Sequence, residues 1–337
     1  MVKVSIIVPN YNHESFLKDR LNSIFNQSFQ DFEVIILDDA STDNSKTILK
    51  QYEDHPKVSH LIFNSENSGS PFKQWVKGIK LAIGEYIWIA ESDDYADIYF
   101  LEKTVRVLES NPNISLVYSD SFEIDENGEI KSCWRDKRND FFSTDRWSKS
   151  YQNNGIDETF KFLIKSNTIN NISSVLFKRN SVLSNEFLET IIIYKNVGDL
   201  YLYLYLLING DIFYLNDSLN YLRIHNTNTT KSNAVKGVLA KERLILFSQL
   251  IEIVGKDVLH KYHTEFKKSL KSMLNKTVFK AIKTKKSYEV YSILIKMSNS
   301  DILNKKYFIS LIYGLKFYVL FRQKEFIKKS IRNIWFK

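Results

Sequence analysis

Three carboxylates, Glu91, Asp93 and Asp94, crowd into four residues of a 337-residue chain. They follow directly on Tyr86-Ile-Trp-Ile-Ala90, an apolar run of strand character. Acids this close repel one another unless a cation or hydrogen-bond donors offset the charge. Oxygen ligands of this kind suit Mg2+ or Mn2+, above all when a substrate phosphate completes the shell. An acidic turn capping the next helix would use the same residue types. A second acid pair, Asp38 and Asp39, ends another apolar run at 32–37. The elements that carry the two clusters decide between these readings.

Residues 4–9 read as a buried strand, and helical periodicity follows through Phe16, Leu17, Leu21, Ile24 and Phe25. Further strands are predicted at 32–37, 58–63, 86–90 and 116–124, with helices from 42, at 72–82 and at 98–109. This alternation predicts an α/β fold, a Rossmann-like, mostly parallel sheet with helices on both faces. Ligands of such sheets lie outside the carboxyl ends of the strands, so both acid clusters face one rim. Residues 125–155 are polar and weakly periodic, and predict a long loop. Beyond them come a helix at 157–166, a strand at 172–178, a helix at 199–209 and short strands at 212–215 and 219–224.

From 231 the pattern changes to amphipathic helices, at 239–254, 258–282, 288–297 and 307–321. The net charge of +8 hides a split: 23 Lys and Arg against 32 Asp and Glu in 1–230, but 24 against 7 in 231–337. The sequence thus predicts one α/β domain over 1–230 and a basic helical extension over 231–337. The extension has two readings, a solvated lysine face or attachment to an anionic membrane surface, which aromatics among lysines at 307–321 suit. No recognised module accompanies the charge, so nucleic acid is not an expected partner. A single cysteine, Cys133, excludes an internal disulfide and fits a reducing compartment. The apolar run at the N-terminus is too short for a signal peptide, and no stretch reaches the roughly 18 residues of a membrane span. The expected location is cytoplasmic, with peripheral attachment to the inner face of the cytoplasmic membrane under the second reading of the extension.

Three segments carry a family resemblance: Val4-Ser-Ile-Ile-Val-Pro-Asn-Tyr-Asn12, Leu37-Asp-Asp-Ala-Ser-Thr-Asp-Asn-Ser45 and Gly84-Glu-Tyr-Ile-Trp-Ile-Ala-Glu-Ser-Asp-Asp94. In order and spacing they resemble the family 2 glycosyltransferases of GT-A fold, over roughly 1–230. The resemblance implies inverting transfer of a sugar from a nucleotide-diphosphate donor, with Mn2+ or Mg2+, to a saccharide or lipid-linked saccharide, as in surface polysaccharide synthesis. It further implies that Pro9, Asn10 and Tyr11 pack on the nucleotide base. Asp39 would accept from the base ring N–H, which suits uracil or thymine, with Asp38 and Asp43 as further acids of that segment. Glu91 would bind the ribose and Asp93 the metal, with Asp94 behind them; the family's usual first acid is Asp. The general base maps to Asp199, where Gly198 stands in place of the usual Glu. Arg223 or His225 would meet the diphosphate, or His225 the metal.

The remaining candidates read as follows. His13, His55, His60, His260 and His263 are expected to be structural, and Trp75 is core or a wall of the donor pocket. Asn170 and Asn171 are candidates for acceptor contact. A nucleotidyltransferase also gathers acids at a strand end, but its Gly-rich phosphate loop is missing from Pro9-Asn-Tyr-Asn-His13. A membrane-bound scaffold with a degenerate transferase fold is the non-enzymatic alternative, opposed by the intact Asp39 and Asp93.

Overall fold

A computed structural model describes residues 2–225 and 238–270, with residue 272. The chain divides into two compact units, Met1–Asn228 and Thr229–Lys337. In the first, the chain order is β1 (Val4–Asn10), α1 (Glu14–Phe25), β2 (Phe32–Asp38), α2 (Ser45–Lys50), β3 (Val58–Phe63), α3 (Pro71–Leu81) and β4 (Tyr86–Ile89). There follow β5 (Tyr95–Ala96), α4 (Phe100–Ser110), β6 (Ile114–Ile124), β7 (Ile130–Cys133), α5 (Trp134–Phe142), β8 (Tyr151–Asn153) and α6 (Gly155–Glu158). The unit closes with β9 (Val175–Lys178), α7 (Asn185–Ile191), α8 (Gly198–Ile208) and β10 (Asp211–Arg223).

Among the described residues these strands form one ten-stranded sheet, ordered β3-β2-β1-β4-β9-β6-β10-β5, with β7 added to β6 and β8 to β10. Strands β3, β2, β1 and β4 are mutually parallel. Every residue of β1, β2 and β4 is buried, which is why these strands read as unbroken apolar runs. In register, Asn10 lies beside Asp38, so the ends of β1 and β2 reach the same rim. The core on one face joins Leu17, Leu21 and Ile24 of α1 to Leu101, Val105 and Leu108 of α4, across Val8, Ile36 and Trp88.

Four sequence expectations are corrected. The strand at 172–178 is the shorter β9, and it runs antiparallel to both neighbours, β4 and β6, so the sheet is mixed. The segment at 125–155 is a built insertion, β7, α5, a short 3-10 turn and β8, held by buried ion pairs. The helix at 157–166 is instead α6 followed by a π-helical turn, Thr159–Leu163. The two short strands at 212–224 are one strand, β10, whose polar Asn216, Asp217 and Ser218 are absorbed by a shift of register between Leu215 and Ser218.

In the second unit, α9 (Val238–Lys261) is interrupted at Gly255, whose φ of 75° leaves the helical region. Leu246, Phe247, Leu250, Leu259, Tyr262, Phe266 and Leu270 are buried. The helices expected at 288–297 and 307–321 lie outside the described residues.

Candidate active site

The rim is built from the turns after β1, β2 and β4 and from the residues that follow β10. After β1, the Asn10 amide donates to Asp38 Oδ1 at 2.9 Å and to the Ser41 hydroxyl at 3.2 Å. Asn12 takes up a left-handed conformation, φ 57°, and its side-chain oxygen accepts from the Thr42 N–H at 2.8 Å. Asp43 accepts from the first N–H groups of both helices, Glu14 at 2.9 Å and Ser45 at 3.0 Å. These bonds weld the first two turns together. Pro9 and Asn10 are buried within them, and Tyr11 alone of the three base-loop candidates presents an exposed ring.

After β2, Asp39 is buried and accepts from Asn64 Nδ2 at 2.7 Å, Ser68 N at 3.0 Å, Ser68 Oγ at 2.8 Å and Gln74 Nε2 at 2.8 Å. It therefore anchors the loop at 64–70 and the first turn of α3. Its Oδ2 takes only the Ser68 hydroxyl among these donors, which leaves acceptor capacity for one further N–H.

After β4, each acid has its own setting. Glu91 accepts from Trp75 Nε1 at 2.8 Å, so Trp75 is at once core and wall of the site. Burial, then the Asp93 charge, pushes the Glu91 carboxyl up to about 8. Asp94 accepts from Asn171 Nδ2 at 2.5 Å and from the Arg223 backbone N–H at 2.9 Å. Burial and the Asp93 charge push it up to about 7. Asp94 ties the β4 turn to β10, and Asn171 is a strut for that acid, also accepting from Asn220 at 3.1 Å. For Asp93, burial works to raise the pKa, but the His225 hydrogen bond and the charges of His13 and His225 hold it below the usual carboxylate range. Its Oδ2 lies 3.0 Å from His225 Nε2.

Arg223, expected at the diphosphate, is buried and committed to protein atoms. Its Nε donates to the Asp93 carbonyl at 3.0 Å, and Nη1 to the carbonyls of Asp125 at 3.3 Å and Glu126 at 2.8 Å. Its Nη2 pairs with Asp19 at 3.0 Å. This arginine fastens rim turns to one another.

Two residues of the site escaped the sequence reading. Arg20, fully buried on α1, donates Nε to the Glu91 carbonyl at 2.8 Å and brings Nη2 to 3.9 Å from Asp94. It is the counter-charge beneath the acidic turn. An arginine between Leu17, Leu21 and Ile24 on the apolar face of α1 was the available signal. His13, read as structural, has Nδ1 2.8 Å from the Ser92 hydroxyl and packs edge-on to His225 at 5.7 Å between ring centroids. Burial pushes its pKa down, with the Asp93 charge opposing. Its position one turn beyond the end of β1 was the only hint. His13, Asp93 and His225 each offer a ligand atom, all within 4.8 Å of one another, a donor set that fits a divalent ion.

Asp199 lies in the first turn of α8, half-exposed. One turn later Tyr203 is fully buried, and its hydroxyl has no hydrogen-bond partner among the described residues. Burial, then the charges of Asp199 and Glu91, raise its pKa well above the ordinary value. One hydroxyl thus feels both the helix acid and the strand-end acid. Gly198 is required where it stands: a Cβ there would come within 2.6 Å of the Phe72 ring. The aromatic ring of α3 fills the space into which a glutamate at this position would have to extend.

Comparison with known proteins agrees with this fold. An uncharacterized glycosyltransferase of Methanocaldococcus jannaschii, MJ1057, is 36% identical over 129 residues, which is 38% of this chain and 44% of the relative. The poly(ribitol-phosphate) beta-glucosyltransferase of Bacillus spizizenii is 42% identical over 96 residues, 28% of this chain and 15% of the relative. The matched stretch therefore spans less than half the length of either. The crystal structure of S. aureus TarS 1-349 in complex with UDP-GlcNAc superposes with a TM-score of 0.67 at 19% identity, covering 92% of this chain and 84% of that one. That likeness shows a shared fold, the GT-A type. The sequence pattern of Glycosyl transferase family 2 matches residues 5–175, half of the chain, and the chain belongs to that family.

Proposed function

We propose that this protein transfers a sugar, with inversion, from a UDP- or dTDP-type donor to a hydroxyl of a saccharide or lipid-linked saccharide in surface polysaccharide assembly. The observation that supports this reading is a chain of contacts from the start of α8 to the strand-end acids: Gly198, next to Asp199, abuts the Phe72 ring, Phe72 packs on Trp75 at 4.8 Å between ring centroids, and Trp75 donates to Glu91 at 2.8 Å. A base and a diphosphate-binding centre on one rim are what displacement at an anomeric carbon needs.

Tyr11 offers its face to the base, and the free capacity of Asp39 Oδ2 suits a ring N–H. Glu91, held by Trp75, faces the ribose. Asp199 takes the proton of the acceptor hydroxyl as it attacks. Its place in the first turn of α8 favours the ionised carboxylate through the helix dipole. Asp93 and His225 would hold a divalent ion, which would supply charge stabilisation for a departing nucleoside diphosphate. The named acceptor of the Bacillus spizizenii relative, a poly(ribitol-phosphate), makes polyol-phosphate chains a candidate acceptor class here as well.

The excess of 24 Lys and Arg over 7 Asp and Glu in 231–337 supports attachment to an anionic leaflet, where each cation contributes about 1 kcal/mol. Among the described residues no helix is long and apolar enough to cross a membrane. Thermal shift against a panel of nucleotide sugars, with and without Mn2+, tests the donor assignment. A true donor at one hundred times its dissociation constant stabilises by about 2.7 kcal/mol. No shift with any UDP or dTDP sugar contradicts the reading.

A further inference from the structure

We propose that His13 is a third metal ligand, and that His13, Asp93 and His225 form a preorganised site that takes a first-row transition ion before the nucleotide arrives and selects it over Mg2+. This rests on the reading of Asp93 and His225 as metal-binding, and extends it to a residue of the first turn.

The three side chains come from three separate places in the chain: the turn after β1, the turn after β4 and the residues beyond β10. Their ligand atoms lie within 4.8 Å of one another. Around a single ion with bonds of about 2.1 Å, ligand atoms stand roughly 3 to 4 Å apart, so small side-chain rotations close the set. The frame that holds them is already built. The Ser92 hydroxyl engages His13 Nδ1 at 2.8 Å, fixing the ring and leaving Nε2 as its ligand atom. The His225 side chain is 3% exposed, packed against Phe16 with ring centroids at 5.2 Å. Arg223 holds the Asp93 backbone in place at 3.0 Å. Asp93 remains 21% exposed and His13 half-buried, so one side of the cluster faces solvent, where water or phosphate oxygens complete the shell.

The composition of the set decides the ion. Mg2+ sheds water reluctantly and prefers carboxylates and phosphate oxygens, and an isolated Asp provides it with a single such ligand. Imidazole suits the later first-row ions, and two imidazoles with one carboxylate form a facial set that leaves other positions open. With His13 in place, affinity should rise in the order Mn2+, Co2+, Zn2+, all above Mg2+. Without it the site has one carboxylate and one imidazole, and most of its hold on an ion must come from the diphosphate.

The test is calorimetric titration of the metal-stripped full-length chain with MnCl2 and MgCl2 in the absence of nucleotide, paired with the visible absorption of bound Co2+. The wild-type chain should bind one Mn2+ at least about tenfold more tightly than Mg2+. His13→Ala and His13→Gln should each weaken Mn2+ by about 10- to 100-fold, narrow the Mn2+/Mg2+ ratio and change the Co2+ spectrum. Melting curves of both variants check that the fold is intact. Equal Mn2+ affinity in wild type and both variants overturns the proposal, as does equal affinity for Mn2+ and Mg2+ in the wild type. A protein that takes up Mn2+ through His13 yet binds no nucleotide sugar keeps this site and removes the transferase reading. One that binds UDP sugars with either ion, regardless of His13, does the reverse.

Discussion

The acids that end β2, Asp38 and Asp39, and the acids buried around β6 to β10, Asp120 and Glu158, are kept in place by different means. For the β2 acids the work is done by neutral hydrogen bonds over short loops. Asp39 accepts from Asn64, Ser68 and Gln74, and Asp38 from Asn10 and the Ser41 N–H. Around β6 to β10 it is done by long side chains reaching into the interior. Arg138 pairs with fully buried Asp120, and Arg146 pairs with fully buried Glu158 through Nη2 at 2.6 Å. Arg146 also lies over the rings of Tyr151 and Phe162, at 3.9 and 3.8 Å from their centroids. Cys133 and Ser218 complete the Asp120 cluster, donating to Oδ2 at 2.8 and 2.9 Å. A hydrogen-bonded loop can loosen locally, whereas an acid buried with a single strong cation makes the whole region depend on that cation.

The largest effect follows from that contrast. Arg138→Ala leaves Asp120 buried with no close cation but the more distant Arg135, and should lower global stability by about 3–5 kcal/mol. Urea unfolding of the variant measures it, and a loss under about 1 kcal/mol would make the insertion at 130–153 an accessory and erase the contrast. After β2, Asp39→Ala should cost about 1–3 kcal/mol, because Gln74 loses its buried acceptor. Its kinetic signature should be a raised donor Michaelis constant with turnover less affected, since base contact is made equally in ground and transition states. A fall in turnover alone would move Asp39 from donor binding to the chemistry.

Tyr203→Phe is the smallest change and the sharpest probe of the buried hydroxyl that feels Asp199 and Glu91. Removing a buried hydroxyl without a partner should leave stability unchanged or raise it by about 1 kcal/mol. A melting temperature clearly below that of wild type would show that the hydroxyl is hydrogen-bonded in solution.

The same contrast explains what the sequence disclosed. Parallel strands buried on both faces write themselves as apolar runs, and the acids at their ends stand out against Tyr86–Ile89 and Phe32–Asp38. The direction of β9 could not be read, because apolar periodicity is the same for either polarity of pairing. The insertion looked like a loop because much of its interior is charged: Arg138 is buried against Asp120, 18 positions away, and Glu158 against Arg146, 12 positions away, pairs that apolar periodicity does not register. β10 looked like two strands because Asn216-Asp217-Ser218 resembles a turn, and only the pairing with β6 reveals an irregularity instead. His13 carried no signal beyond its position just after β1. Its meaning depends on Ser92 and His225, which are 79 and 212 positions away.

The central claim is that Asp199, in the first turn of α8, is the base of a glycosyl transfer. The measurement that tests it most directly is the steady-state release of nucleoside diphosphate by wild type and Asp199→Asn, with the donor identified by thermal shift. The substitution keeps shape and donor site but cannot accept a proton. Turnover should fall by about 10²–10⁴ with donor affinity retained. Turnover close to that of the wild type would contradict the assignment and place the base elsewhere on the rim.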